Sequence, residues 1–232
     1  MNRSELKLNA KNVLKKNYSS AILFCFVYHT VTGRLGAEIS FILTILFYRP
    51  SDTDLNIEKI GFSENIISGD ILYYISIAAS VLLLAVFAVF FVGPLSVAKA
   101  NFFIKARKDS FKASYAFNIF REGRYEQVLK IMLARNIILF AGYLLIIPGI
   151  YLSYTFRFVP YIAAENPDIG WKEALKKSKG MTDGHKFELF VLNLSFAGWY
   201  ILSCIVPIFG KFFVKPYNEA AIAEAYEALK NE

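Results

Sequence analysis

Arg157 is the residue best placed to do chemistry. It falls about seven residues from either end of a helix predicted over 150–164, inside an otherwise apolar stretch. A guanidinium at that depth faces a bundle interior or a wet cavity, where it can hold an anionic headgroup or substrate. An internal ion pair, or a side chain reaching for the surface past Pro160, would use it structurally instead. Asn136 and Asn193 occupy matching places in two other apolar stretches, and interhelical hydrogen bonding or a ligand could engage either amide. Pro94, Pro160 and Pro216 recur at equivalent points, each next to Phe-Val. Each removes a backbone donor and opens a helical turn. Such kinks can line a site between repeats, or serve packing alone. Arg157, Asn193, Asn136, Pro94, Pro160 and Pro216 are therefore the candidate ligand-binding residues.

Catalysis finds no comparable foothold. The two histidines, His29 and His185, exclude a His-Glu-x-x-His metal site. No Gly-x-Ser-x-Gly elbow, Walker loop or dinucleotide glycine fingerprint occurs. The cysteines, Cys25 and Cys204, lie in apolar runs and read as packing residues. No catalytic residue, metal or cofactor is implied, and the chain is not read as an enzyme. Arg34 and Glu38 are spaced to pair on one helix face near the outer membrane surface.

The elements that must position these residues repeat three times, over about 1–108, 109–167 and 168–232. Each repeat has a short basic amphipathic segment, an apolar run, a break and a second apolar run. Phe140-Ala141-Gly142-Tyr143 and Phe196-Ala197-Gly198-Trp199 are echoes of one motif. Leu6, Ala10, Val13 and Leu14 mark a first amphipathic helix. Phe111, Tyr115 and Ile119 mark a second; Trp171, Ala174, Leu175 and Ser178 mark a third. The predicted spans are 18–31, extending to 47 if Gly33 and Gly36 are passed, then 71–103, 125–147, 150–164, 187–206 and 212–229. Pro148-Gly149 and 207–210 are expected to turn the chain between spans. The last span carries Lys215, Glu219, Glu224 and Glu227 and is the least apolar. Tyr161 and Tyr217 are expected as interface anchors, and Glu165 and Glu219 at headgroup level.

Composition agrees with a membrane protein. The chain of 232 residues is 56% hydrophobic and only 19% charged, with mean hydropathy +0.41. Segments 71–98, 136–156 and 189–210 carry no charge, and about 20 helical residues cross the hydrocarbon. Their continuity excludes a membrane β-barrel, whose strands alternate. The net charge of +7 would point to nucleic acid in a soluble protein. Here the cations lie beside spans, where they meet anionic headgroups of the lipid bilayer, so no nucleic-acid partner is expected. The basic N-terminus and 99–130 are placed inside; the acidic 49–70 loop, with Asp52, Asp54, Glu58, Glu64 and Asp70, is placed outside.

Further stretches carry a resemblance. They include Ile147-Pro148-Gly149-Ile150, Tyr161-Ile162-Ala163-Ala164-Glu165-Asn166-Pro167, Gly184-His185-Lys186-Phe187, Leu194-Ser195-Phe196-Ala197-Gly198-Trp199 and Pro216-Tyr217. Together they resemble a domain-of-unknown-function family of small polytopic bacterial membrane proteins. That family is similar to the membrane domain fused to some glycerophosphodiester phosphodiesterases. The phosphodiesterase activity belongs to a separate soluble domain, so the resemblance implies location and topology but no reaction. The expectation is an all-α, polytopic transmembrane helical bundle of about six spans in the bacterial inner membrane. It would form a single domain over 1–232 with a cytoplasmic N-terminus. It would bind or move a lipid or other amphiphile, or else dock a membrane protein partner as an accessory subunit.

Overall fold

The computed structural model describes residues 2–30, 32, 78–79, 82–83, 86–107, 116–118, 124–205 and 213–231. The chain divides into two units, one of residues 1–29 with 89–232 and one of residues 30–88; the account below concerns the first. The Arg34–Glu38 pair, the 49–70 loop, the 207–210 turn and the amphipathic residues Phe111, Tyr115 and Ile119 lie outside the described residues. Every regular element among the described residues is helical. In chain order they are α1 (Arg3–His29), a π-helical turn (Ala88–Val92) leading into α2 (Gly93–Ala106), α3 (Tyr125–Tyr143), α4 (Ile147–Thr155), α5 (Val159–Glu165), α6 (Trp171–Thr182), α7 (Lys186–Leu194), α8 (Ala197–Ile205) and α9 (Lys215–Lys230).

The first amphipathic helix and the first apolar run are one bent element. Leu6, Ala10, Leu14, Ala21, Phe24 and Cys25 are buried along α1, at helical spacing. The bend falls at Asn17, where φ is −124° and ψ is 22°. Its amide donates to the Ala106 carbonyl at 2.9 Å, tying the bend to the end of α2. The third amphipathic helix, α6, buries Ala174, Leu175 and Ser178 as its spacing predicts, and Thr182 beyond them, while Trp171 at its start is exposed. After α6, Lys186 donates to Asp183 at 2.9 Å across the turn into α7, and that bond holds the Asp183 carboxyl below its usual range.

Helix α9, weak as a span by hydropathy, is buried on most sides. Ala220, Ala221, Ala223 and Ala225 let α1 and α2 approach closely. Its acids turn toward cations in and just after α2. Lys99 meets Glu219 at 2.6 Å, and Arg107 meets Glu224 at 2.6 Å and Glu227 at 3.2 Å. Glu165 likewise has partners within the protein, accepting from the Tyr226 hydroxyl at 2.8 Å and Lys230 at 2.7 Å.

The later apolar runs are broken where continuous spans are expected. The turn after α3 is at 144–146, not at Pro148-Gly149. Pro148 sits in the first turn of α4, where its missing N–H is tolerated. Ile146 takes φ 51°, a strained choice for a β-branched residue. The hairpin of α3 and α4 closes on two glycines. A Cβ on Gly142 would come 2.7 Å from Leu152 Cδ1, and one on Gly149 would come 2.7 Å from Tyr143 Cα. The run expected as 150–164 is interrupted at 156–158, between α4 and α5, and the run expected as 187–206 at Ser195 and Phe196, between α7 and α8. Helices of 9 residues rise only about 14 Å, against about 30 Å of hydrocarbon. Among the described residues, no helix is long and apolar enough to cross a membrane.

The outer surface of this unit is strongly apolar. The tip of the α3–α4 hairpin, Leu144 to Ile147, is 71–79% exposed. Phe140, Tyr151, Phe187, Leu194 and Ile201 are exposed as well.

Candidate functional site

The break between α4 and α5 builds a site. Pro160 has no N–H, so the Phe156 carbonyl lacks the donor that a continuous helix would supply. Arg135, midway along α3, donates its Nε to that carbonyl at 3.0 Å. The preceding carbonyl, of Thr155, is taken over by α6, whose Ser178 and Thr182 hydroxyls donate to it at 2.8 and 3.2 Å. The repeat relation extends to this chemistry. The carbonyl that Pro94 deprives is that of Phe90, and the Tyr125 hydroxyl donates to it.

Arg157 sits in the break itself. Its Nη2 donates to Asn193 Oδ1 on α7 at 3.2 Å, and its guanidinium lies 5.9 Å from the Tyr154 ring centre. Asn193 is steadied in turn by donating to the Tyr154 hydroxyl at 3.4 Å. Arg135 also reaches Asn136 Oδ1 through Nη1 at 3.4 Å.

The two arginines and Asn136 line a cavity of about 330 Å³ between α1, α2, α3, α5 and α9. Arg135, Asn136 and Arg157 form one side, and Lys99 and Glu219 another. Tyr28 and Tyr161 complete the wall, with the Lys99 ammonium 4.5 Å from the Tyr28 ring centre. The charge is unbalanced. Lys99 and Glu219 neutralise each other, their side chains 17% and 19% exposed. Neither Arg135 nor Arg157 has a carboxylate within 4.0 Å among the described residues. Among the described residues two positive charges are thus left without an acidic partner, in a setting where an unmatched charge is costly.

The same wall holds the described side-chain atoms that are buried without a hydrogen-bond partner, the Tyr161 hydroxyl and Asn218 Oδ1. Tyr161 is 4% exposed, so it is not an interface anchor. Its ring stacks on Tyr226 with centres 5.1 Å apart. Asn218 spends its Nδ2 on the Tyr200 hydroxyl at 2.8 Å. A buried hydroxyl and a buried amide oxygen without partners, beside two guanidinium groups, make a site complementary to an anion that also carries hydrogen-bonding groups.

Of the residues singled out by sequence, Arg157, Asn136 and Pro160 line this cavity. Asn193 supports Arg157 from behind the wall. Pro94 and Pro216 are not lining residues, although Gly93, beside Pro94, and Asn218, just after Pro216, are. Lys99, Arg135, Tyr161 and Glu219 were not picked out as site residues. Arg135 carried a readable signal, since it borders the uncharged stretch 136–156. Glu219 stood in a predicted span with no partner in sight, and its partner lies 120 residues away.

Residues 130–232 match a protein family described as "Protein of unknown function (DUF975)". The match covers α4 to α9, the Arg157 break and most of α3. No curated protein and no solved structure matches the chain.

Proposed function

We propose that this chain is a polytopic membrane protein that binds an anionic amphiphile in the Arg135–Arg157 cavity. The observation that carries this reading is the pair of guanidinium groups without acidic partners among the described residues, beside the unpartnered Tyr161 hydroxyl. An intramembrane charge of this kind marks a ligand site by default. The exposed apolar surface around the α3–α4 hairpin supports immersion in lipid. Consecutive short helices, α4 then α5 and α7 then α8, would together cross where no single helix does. Broken helices of this sort border substrate sites at the level of the bilayer interior.

Native mass spectrometry in mild detergent or nanodiscs tests it, with wild type beside Arg157→Leu. A retained anionic lipid, present in wild type and absent in the variant, is the expected result. A wild type that carries no anionic lipid, or one that Arg157→Leu retains equally, contradicts the reading. Co-extraction of a protein in fixed ratio, without an Arg157-dependent ligand, would make the chain an accessory subunit instead.

A further inference from the structure

The charge and donor pattern of the cavity narrows the ligand, given the amphiphile reading above. We infer that the cavity takes a phosphate monoester at the end of a lipid chain. Among the described residues Lys99 and Glu219 cancel, which leaves two positive charges, Arg135 and Arg157, to be matched. A fatty carboxylate brings one charge and two oxygens. A phosphodiester brings one charge and two non-bridging oxygens. A phosphate monoester brings three terminal oxygens and about −1.5 to −2 charge near neutral pH, its second ionisation lying at about pH 6.

Arg135, Arg157 and Tyr161 supply donors for these oxygens. Arg135 has committed Nε to Phe156 and Nη1 to Asn136, which leaves Nη2 uncommitted. Arg157 has committed one Nη2 hydrogen to Asn193. The Tyr161 hydroxyl has no partner among the described residues and sits in the same wall. Guanidinium forks suit phosphate oxygens. Asn218 Oδ1, also unpartnered, can accept from the P–OH that a singly ionised monoester carries and a phosphodiester lacks. At about 330 Å³ the cavity is near the small end of ligand pockets, roughly 300–1,000 Å³. It suits a headgroup, with the acyl chains lying outside against the apolar surface.

The test is competitive lipid binding to the purified full chain in nanodiscs, followed by native mass spectrometry. Phosphatidic acid, phosphatidylglycerol, a fatty acid and inorganic phosphate are compared on wild type, Arg135→Gln and Tyr161→Phe. The expected result is a preference of about tenfold or more for phosphatidic acid over phosphatidylglycerol. Arg135→Gln should abolish that preference and Tyr161→Phe should reduce it. Tyr161→Phe keeps the ring and loses no internal hydrogen bond, so it stays interpretable if the arginine variant fails to fold. Equal binding of the two lipids, weakened for both by Arg135→Gln, overturns the monoester inference and leaves the amphiphile reading standing. No anionic lipid bound at all overturns the amphiphile reading itself. Inorganic phosphate binding as tightly as phosphatidic acid overturns the lipid assignment, because the chain would then recognise free phosphate.

Discussion

Replacing Tyr161 by phenylalanine should act in opposite directions on the empty and the occupied protein. The substitution removes one oxygen and keeps the ring, so the contacts with Tyr226 and Phe158 persist. That oxygen is buried and finds no partner among the described residues. A buried hydroxyl left unsatisfied costs about 1–3 kcal/mol. Delipidated Tyr161→Phe should therefore be as stable as wild type or more stable, by up to about that amount. For a chain of this size each kcal/mol is about 2–4 °C in Tm. With a phosphate ligand bound, the same hydroxyl donates to a charged oxygen, a bond worth about 1.5–3 kcal/mol. The variant should then lose about tenfold or more in affinity, and its Tm advantage should shrink or reverse as ligand is added. Thermal unfolding of wild type and variant, in detergent with and without phosphatidic acid, reads both signs. A variant destabilised by about 1 kcal/mol or more without ligand would refute the reasoning, because the hydroxyl would then have a partner within the protein.

Four further outcomes follow. Gly142→Ala should lower stability by about 1–3 kcal/mol, since its Cβ would meet Leu152 Cδ1 at 2.7 Å and the Gly149 backbone Cα at 3.2 Å. The matching change Gly198→Ala meets nothing within 4 Å and should be neutral or gain up to about 1 kcal/mol; equal Tm shifts for the two would contradict the hairpin geometry. Lys99→Met should cost about 2–3 kcal/mol, below the usual 3–5 for breaking a buried pair, because both partners keep some exposure. Adding Glu219→Leu should recover most of that loss in denaturant unfolding, and additive losses would show that the pair is not coupled. Combining Ser178→Ala with Thr182→Val leaves the Thr155 carbonyl without the side-chain donors it accepts from, at about 1–2 kcal/mol, measurable as a lower unfolding midpoint. An environment-sensitive fluorophore at Leu145, 71% exposed at the hairpin tip, should be quenched by nitroxide lipids and not by aqueous iodide; the reverse pattern would place the tip in water.

The legible part of this fold lies where local pattern and local physics agree. The stripe of Leu6, Ala10 and Leu14 is buried as its spacing predicts, and so are Ala174, Leu175 and Ser178. Arg157 and Asn136 announced themselves as polar residues in apolar runs, and both line the cavity. Pro160 signals a break because its missing donor is a local fact. Whether a proline ends a turn or opens a helix is not local, and that is why Pro148 lies inside α4 and not in the turn before it. The ion pairs of α9 were illegible for a different reason. Glu219 and Glu224 find cations 120 and 117 residues away, so their acidity reads along the chain as a defect in a span. Tyr161 misled in the same way. A tyrosine beside a proline looks like an interface anchor until the stacking on Tyr226 buries it.

The central claim is that Arg135 and Arg157 hold an anionic headgroup. An experimental density map of the wild-type chain in nanodiscs made from its native membrane tests it most directly. The account predicts density for a phosphate group within hydrogen-bonding distance of both guanidinium groups and the Tyr161 hydroxyl. A cavity holding water alone, or one filled by a carboxylate from residues 30–88 of the same chain, would contradict it.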